Sequence, residues 1–132
     1  VDNAGRLIVD AELKTPGYDD IYAIGDVAAA KHPETKATLP MLAQMAIQQG
    51  PHTAQNLLRE ARGQEPAPFE PHTRGEFVSV GPSWGVGWMY RFNLTGVPAI
   101  VMKRITYVKY WLQVGGIGLA WKRTREMLAM QR

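Results

Sequence analysis

Cysteine is absent from the chain, so neither a disulfide nor thiol redox chemistry can occur within these 132 residues. No G-x-G-x-x-G motif opens a helix, which excludes a Gly-rich phosphate loop for a dinucleotide from this sequence. The histidines at 32, 52 and 72 are far apart and lack acidic or cysteine partners at ligand spacing, so no metal site is predicted. Charged residues interrupt every long apolar run, so no membrane-spanning helix of about 20 residues is predicted either.

Charge is distributed unevenly along the chain. The first 73 residues contain 6 Lys and Arg against 10 Asp and Glu, whereas residues 74–132 contain 9 against 2, so the balance changes from −4 to +7. The basic part also holds all four tryptophans, which are Trp84, Trp88, Trp111 and Trp121. Basic and aromatic residues together are typical of surfaces that bind nucleic acid or membranes. Because no nucleic-acid-binding motif is present, we expect an anionic membrane surface and no nucleic acid.

The most informative stretch lies near residue 25. Residues 21–24 form a short apolar run with β-branched and aromatic members, which predicts a buried strand. Gly25 follows, and a backbone without Cβ can turn sharply there or let a ligand come close. Asp26 is then expected just past the carboxyl end of the strand, where open α/β sheets bind ligands. Its carboxylate could bind sugar hydroxyls, and the alternative is a solvated turn.

A helix is predicted to begin at Pro40, because proline suits the first turn of a helix. The chain continues in helical register through Pro51, where a kink is expected rather than a stop. Gln44 and Gln48 lie one turn apart on one side, where they either face solvent or bind a ligand. A separate face carries small and apolar residues at three- and four-residue spacing, which are Ala43, Ala46, Ile47, Gly50, Ala54, Leu57, Leu58 and Ala61.

Two motifs carry a family resemblance. Residues 22–28, Tyr-Ala-Ile-Gly-Asp-Val-Ala, resemble the second flavin-binding signature of two-dinucleotide-domain flavoprotein reductases. The Ala-Gln-x-x-x-Gln pattern at residues 43–48 is similar to one in type II NADH dehydrogenases, the single-subunit NADH:quinone oxidoreductases. The resemblance covers most of the chain, which also begins with Val rather than Met. It implies the carboxyl-terminal portion of a longer enzyme of the pyridine nucleotide-disulfide oxidoreductase superfamily.

The resemblance also implies a cofactor, FAD, and the residues that hold it. In the family, the acid at the position of Asp26 binds the ribityl chain, with Gly25 beside it. Ala43 and Gln44 would contact the edge of the flavin ring at the start of the helix, and Leu42 is also assigned to the cofactor site. Free backbone N–H groups and the positive end of the helix dipole would there favour negative charge on the reduced flavin.

The substrates implied by the resemblance are NADH and a quinone. Gln44 and Gln48 are the candidate catalytic residues, since their amides could bind the carbonyl oxygens of a quinone. NADH would bind to domains that this chain lacks, so the isolated segment is expected to be inactive. The residues count against two related classes: sulfide:quinone reductases use a cysteine, and disulfide reductases have a His-Pro-Thr-x-x-Glu setting, of which only His32-Pro33-Glu34 is present.

The predicted fold class is α+β, with a strand, loop and helix of the FAD domain, then a hairpin and terminal amphipathic helices. Residues 1–62 are assigned to the FAD-binding domain, residues 63–75 to a Pro-rich linker, and residues 76–132 to the hairpin and helices. The hairpin is predicted at residues 77–80 and 85–88, around Gly-Pro-Ser. Exposed sheet edges would also permit a homodimer.

Two basic amphipathic helices are predicted near the end of the chain. The first spans residues 98–113, and the second, residues 119–130, follows a flexible joint at residues 115–118. Their aromatic and basic residues favour helices that lie in a membrane interface. The resemblance implies a peripheral location on the cytoplasmic face of the bacterial inner membrane. Three alternatives remain: a helix pair docked on the core, a non-enzymatic membrane or subunit-docking module, and a soluble reductase acting on a protein acceptor.

Overall fold

The computed structural model describes residues 1–18 and 20–129. These residues form two compact units, one of residues 1–73 and one that begins at Arg74. The division lies inside the segment predicted to be a linker, and the assignment of the two units to domains of a parent enzyme stays a prediction. Strands and helices are both present, which confirms the predicted α+β class.

A two-stranded parallel sheet opens the first unit. Strand β1 (Leu7–Ile8) pairs with strand β2 (Ala28–Ala29), which directly follows a 3-10 helical turn at Gly25–Val27. Both alanines of β2 are buried, so the sheet packs closely against the core. Asp26 therefore precedes a strand, and the expectation that it follows the carboxyl end of one is wrong.

Residues 21–24 do not form the predicted buried strand. Tyr22 makes a single antiparallel bridge with Lys14, and Ile21 and Ile24 are 41% and 36% exposed. The pairing stops because Leu13 adopts a φ of 71°, which bends the partner segment away from an extended path. The apolar composition of the run therefore reflects one buried side chain, Ala23, rather than a strand within a sheet.

The core of the first unit draws on sheet, helix and irregular segments alike. Leu7, Tyr22 and Leu42 pack on its margin and are partly buried. Its buried members are apolar residues from along the whole unit, which are Val9, Leu13, Ala23, Ala28, Ala30, Leu39, Met45 and Phe69.

Helix α1 (Ala43–Glu60) is the long element of the first unit. It begins three residues later than predicted, because Leu42 is still extended (φ −119°, ψ 137°) and its N–H donates to the Pro40 carbonyl oxygen. Proline thus lies before the helix rather than in its first turn. The prediction that the helix passes through Pro51 is confirmed.

The buried face of α1 is not the apolar face that the spacing indicates. The residues buried along the helix are Met45, Gln49, Thr53 and Asn56. On the apolar face, Ile47, Leu57 and Leu58 are exposed. Gln49 and Asn56 face inward and bond to backbone groups of the segments packed there, because buried backbone groups need hydrogen bonds. The buried hydroxyl of Thr53 has no hydrogen-bond partner among the described residues. The sequence pattern alone therefore predicts the wrong orientation of the helix within this unit.

A three-stranded antiparallel sheet opens the second unit. Strand β3 (Gly75–Ser79) pairs with β4 (Gly85–Met89), which confirms the predicted hairpin. Strand β5 (Phe92–Thr95) pairs with β4 and was not predicted. The tight connection between β4 and β5 places Tyr90 at a φ of 53°. This left-handed conformation is uncommon for tyrosine, so the sequence does not predict it.

Helix α2 (Val97–Ala129) follows β5 and is interrupted at Gly115 and Gly116. Gly115 (φ −142°, ψ 15°) and Gly116 (φ 66°, ψ −165°) leave the helical conformation, so two arms meet at an elbow. The prediction of two helices around a glycine joint is confirmed over the described residues. Met130, the predicted end of the second helix, lies outside them. No helix in the described part of the chain is long and apolar enough to cross a membrane.

Candidate functional site

The Gly25–Asp26 turn is the first part of the candidate site. Gly25 has a φ of 69°, a left-handed conformation that glycine adopts without steric cost. Its carbonyl oxygen accepts a hydrogen bond from the N–H of Ala28, which closes the 3-10 turn. Asp26 is exposed, so its carboxylate is open to solvent and can accept hydrogen bonds from a ligand.

The turn lies against the beginning of α1. The N–H of Gly25 donates to Oε1 of Gln49 at 2.6 Å, and Gln49 is 2% exposed. A Cβ on Gly25 would lie 3.5 Å from the Cβ of Ala46, which is an ordinary van der Waals contact. The structure thus brings the Gly-Asp motif and the first two turns of the Gln-containing helix together. Sequence reasoning missed Gln49, although its position next to Gln48 in the motif was visible.

The start of α1 is the second part of the site. The N–H groups of Met45 and Ala46 donate to the Leu42 carbonyl oxygen at 2.8 and 3.3 Å. Since the Leu42 N–H is bonded to Pro40, the expectation of a free amide at Leu42 is wrong. Ala43 is the first helical residue and is exposed, and its amide has no acceptor one turn earlier within the helix. Whether these residues contact a cofactor stays a prediction.

The side chain of Gln48 is engaged within the first unit. Its Nε2 donates to the carbonyl oxygens of Gln44 at 2.8 Å and His72 at 3.0 Å, and its Oε1 accepts from the His72 N–H at 3.0 Å. Gln44 and Gln48 are both half-buried and do share one side of the helix. The contact of Gln44 and Gln48 with a quinone stays a prediction. To bind a quinone, the Gln48 side chain would have to give up its hydrogen bonds to Gln44 or His72.

A buried polar network further along α1 was missed by sequence reasoning. The Asn56 side chain, 1% exposed, accepts from the Ala67 N–H and donates to the Ala67 carbonyl oxygen, both at 2.9 Å. His52 Nε2 lies 2.9 Å from the same oxygen, and its ring meets Phe69 edge-on. The predicted linker is therefore irregular but held firmly against the helix. The sequence features that could have predicted this network are His52 and Asn56, one helical turn apart, and the Pro-Ala-Pro-Phe segment that follows the helix.

The second unit carries an exposed apolar surface on α2. Its elbow is the most exposed part, with Val114, Ile117 and Trp121 at 63%, 82% and 67% exposure. No charged residue occurs between positions 114 and 121, and basic residues follow directly. Both arms line a cleft of about 350 Å³, whose lining residues are Tyr107, Trp111, Arg123, Glu126 and Met127. The rings of Tyr107 and Trp111 stack with their centroids 6.2 Å apart. Arg123 forms a salt bridge with Glu126, with 2.9 Å between Nη1 and Oε2.

Comparison with known proteins agrees with the motif positions. A family model described as pyridine nucleotide-disulphide oxidoreductase matches residues 1–50. Type II NADH:quinone oxidoreductases from Staphylococcus saprophyticus, Staphylococcus haemolyticus and Staphylococcus aureus are 40%, 38% and 36% identical to this chain over 119 residues. Each of these alignments covers 90% of this chain and 30% of the relative, so the chain spans less than a third of the relatives' length.

The first 50 residues of the chain are therefore similar to the pyridine nucleotide-disulphide oxidoreductase family. Within that class, the chain is similar to part of the type II NADH:quinone oxidoreductases over nearly its whole length, which confirms the resemblance seen in its two motifs.

Proposed function

We propose that this chain supplies part of the FAD site and the quinone-side helix of an NADH:quinone oxidoreductase. The observation that carries the proposal is the packing of the Gly25–Asp26 turn against α1, with the hydrogen bond from Gly25 to Gln49. These two segments contain the two motifs that resemble the flavoprotein reductases, and the fold places them side by side. A role shared between them in one site follows from that contact.

The residues at this place fit a flavin nucleotide. The exposed Asp26 carboxylate can accept hydrogen bonds from sugar hydroxyls, and Gly25 has no side chain to obstruct a close approach. Ala43 is small and exposed at the positive end of the α1 dipole, which suits an anionic group. FAD, when bound, would supply the redox centre that accepts two electrons and releases them to an acceptor.

The residues of this chain would bind and orient rather than transfer electrons themselves. Asp26 would hold the sugar chain, and the start of α1 would favour negative charge nearby. Gln44 would border the flavin ring and the quinone, with Gln48 beside it. Binding of NADH would depend on parts of the parent protein beyond this segment, since no Gly-rich phosphate loop is present here.

The test of the FAD site is flavin retention in the whole protein that contains this chain. Asp26→Ala is expected to lose FAD during purification, because the sugar hydroxyls lose their acceptor. Glu34→Ala is the matched control, since Glu34 is an exposed acid on the following loop, and it should keep its flavin. Full FAD retention by Asp26→Ala, measured from the visible absorbance, would remove Asp26 from the site.

We also propose that α2 attaches the parent protein peripherally to an anionic membrane, at the cytoplasmic face of the inner membrane. The uncharged elbow around Ile117 is highly exposed, and Lys122 and Arg123 follow it directly. Apolar residues that enter the headgroup boundary, with basic residues near anionic lipid, are the two features of interfacial helices. A lipophilic quinone would then be close to the enzyme that reduces it.

A second candidate function is the docking of another protein subunit, including a second copy, on α2. The cleft between the arms favours it, because Trp111 and Met127 line an apolar groove that also contains the Arg123–Glu126 pair. Flotation of the whole protein with vesicles that contain anionic lipid separates the two candidates. Flotation is expected for the membrane surface, whereas absence of lipid binding would favour a protein partner and a soluble reductase.

A further inference from the structure

We infer that Gln49 is a positioning residue that holds the Gly25–Asp26 turn in the conformation the flavin site requires. The inference rests on the proposed FAD function. Gln49 is 2% exposed, and its Oε1 accepts the Gly25 N–H at 2.6 Å across 24 residues of sequence. Buried polar side chains are almost always hydrogen-bonded, and the buried Gln49 side chain makes a short hydrogen bond to one backbone group.

The turn is closed at its far end by the bond from the Ala28 N–H to the Gly25 carbonyl oxygen. It contains three residues, and Ile24, which precedes it, provides no side-chain cap. Gly25 is in the left-handed region at a φ of 69°, and glycine can leave this conformation at little cost. The bond to Gln49 fixes the Ile24–Gly25 peptide, and the bond from the Ala28 N–H to the Gly25 carbonyl oxygen fixes the next peptide, so the two bonds together orient Asp26. A displaced Asp26 would place its carboxylate away from the sugar chain.

The other amide side chains on α1 hold different segments. Gln48 bonds to His72, and Asn56 bonds to Ala67. Gln49 alone among these three reaches the Gly-Asp turn. Asn56 therefore provides a control: it is buried on the same helix face, it holds a backbone segment through hydrogen bonds, and it does not contact the candidate site.

The experiment measures the FAD dissociation constant and the melting temperature of the apo form for the whole protein. Gln49→Met keeps the length of the side chain but removes the acceptor, so the dissociation constant should rise on the order of tenfold. Gln49→Glu keeps an acceptor oxygen at the same reach and should restore binding to within about threefold of the unchanged protein. Asn56→Leu should lower the melting temperature but change FAD affinity by less than about twofold.

Three results distinguish the possible failures. A parent protein that binds no FAD would contradict the proposed function itself. If that protein binds FAD and Asp26→Ala loses it, but Gln49→Met binds FAD normally, the positioning role is wrong while the proposed function stands. Equal losses of affinity in Gln49→Met and Asn56→Leu would show general destabilisation and would also overturn the inference. Should Gln49→Met not fold, Gln49→Asn, which is one methylene too short, must weaken FAD binding.

Discussion

The side-chain amide of Gln48 forms a two-bond pair with the backbone of His72. Its Nε2 donates to the His72 carbonyl oxygen and its Oε1 accepts the His72 N–H, both at 3.0 Å. An amide side chain matches a peptide group in this arrangement because it offers one donor and one acceptor in a plane. Gln48, itself proposed to border the quinone, therefore holds the end of the irregular segment against α1.

Replacement of Gln48 tests whether it does more than hold His72. In the whole protein, Gln48→Ala is expected to slow quinone reduction much more than reduction of the flavin by NADH, since the proposed contact is on the acceptor side. Stopped-flow measurement of the two half-reactions gives both rates. Gln55→Ala, an exposed glutamine on the same helix, should change neither rate. A lower melting temperature with both half-reactions unchanged would leave Gln48 a purely structural role.

Gly25→Ala tests the need for a left-handed residue in the turn. An L-residue at a φ of 69° is strained, so the free energy of unfolding should fall by about 1–2 kcal/mol. Gly63→Ala is the matched control, because Gly63 has the same φ of 69° and open space around it, far from the site in sequence. Both variants should be destabilised similarly in denaturant unfolding, but only Gly25→Ala should reduce FAD content. Normal FAD content in Gly25→Ala would contradict the proposed close approach.

Glu60 is expected to make stability depend on acid pH. Hydrogen bonding to Lys14 holds the pKa of the Glu60 carboxyl below its ordinary value of 4.5, and the two residues form a salt bridge. Because the pKa is lowered in the folded state, the stabilisation is present above about pH 4.5 and is lost as pH falls through the lower folded value. The melting-temperature difference between the unchanged protein and Glu60→Gln should therefore shrink between about pH 6 and about pH 3. A difference that is constant over this range would show that the salt bridge contributes nothing measurable.

The elbow of α2 is the place to test membrane attachment. Ile117→Asp puts a charge where the apolar contact is proposed, so binding to vesicles with anionic lipid should weaken on the order of tenfold. Val80→Asp changes another exposed apolar residue of the second unit, directly after strand β3, and should have less than about a twofold effect. Vesicle co-sedimentation measures both. Equal binding by the two variants would mean that the elbow does not enter the bilayer.

Local features were predictable where the residue type dictates the backbone. The β3–β4 hairpin follows from alternating strand residues around Gly-Pro-Ser, and the elbow of α2 follows from adjacent glycines. The passage of α1 through Pro51 followed from the helical spacing on both sides of it. These features depend on neighbours in sequence, so short-range physics was sufficient to predict them.

The tertiary structure decided which side of α1 is buried. Periodicity predicts that the apolar residues face inward, but Gln49 and Asn56 are buried while Leu57 and Leu58 are exposed. The backbone groups of the irregular segments at Gly25 and Ala67 are bonded by the side chains of Gln49 and Asn56, which come from distant positions in the sequence. Such bonds have no periodic signature in the sequence.

The sequence by itself determined the resemblance to the flavoprotein reductases, since the Gly-Asp and Ala-Gln-x-x-x-Gln motifs consist of residue types at short spacing. It also determined the α+β class and the basic, aromatic character of the last 59 residues. Only the tertiary structure decided that the two motifs meet, through Gln49, and that Asp26 precedes its strand. Contacts across 24 residues depend on how the whole chain packs, because burial and hydrogen bonding are satisfied jointly by all segments of a unit.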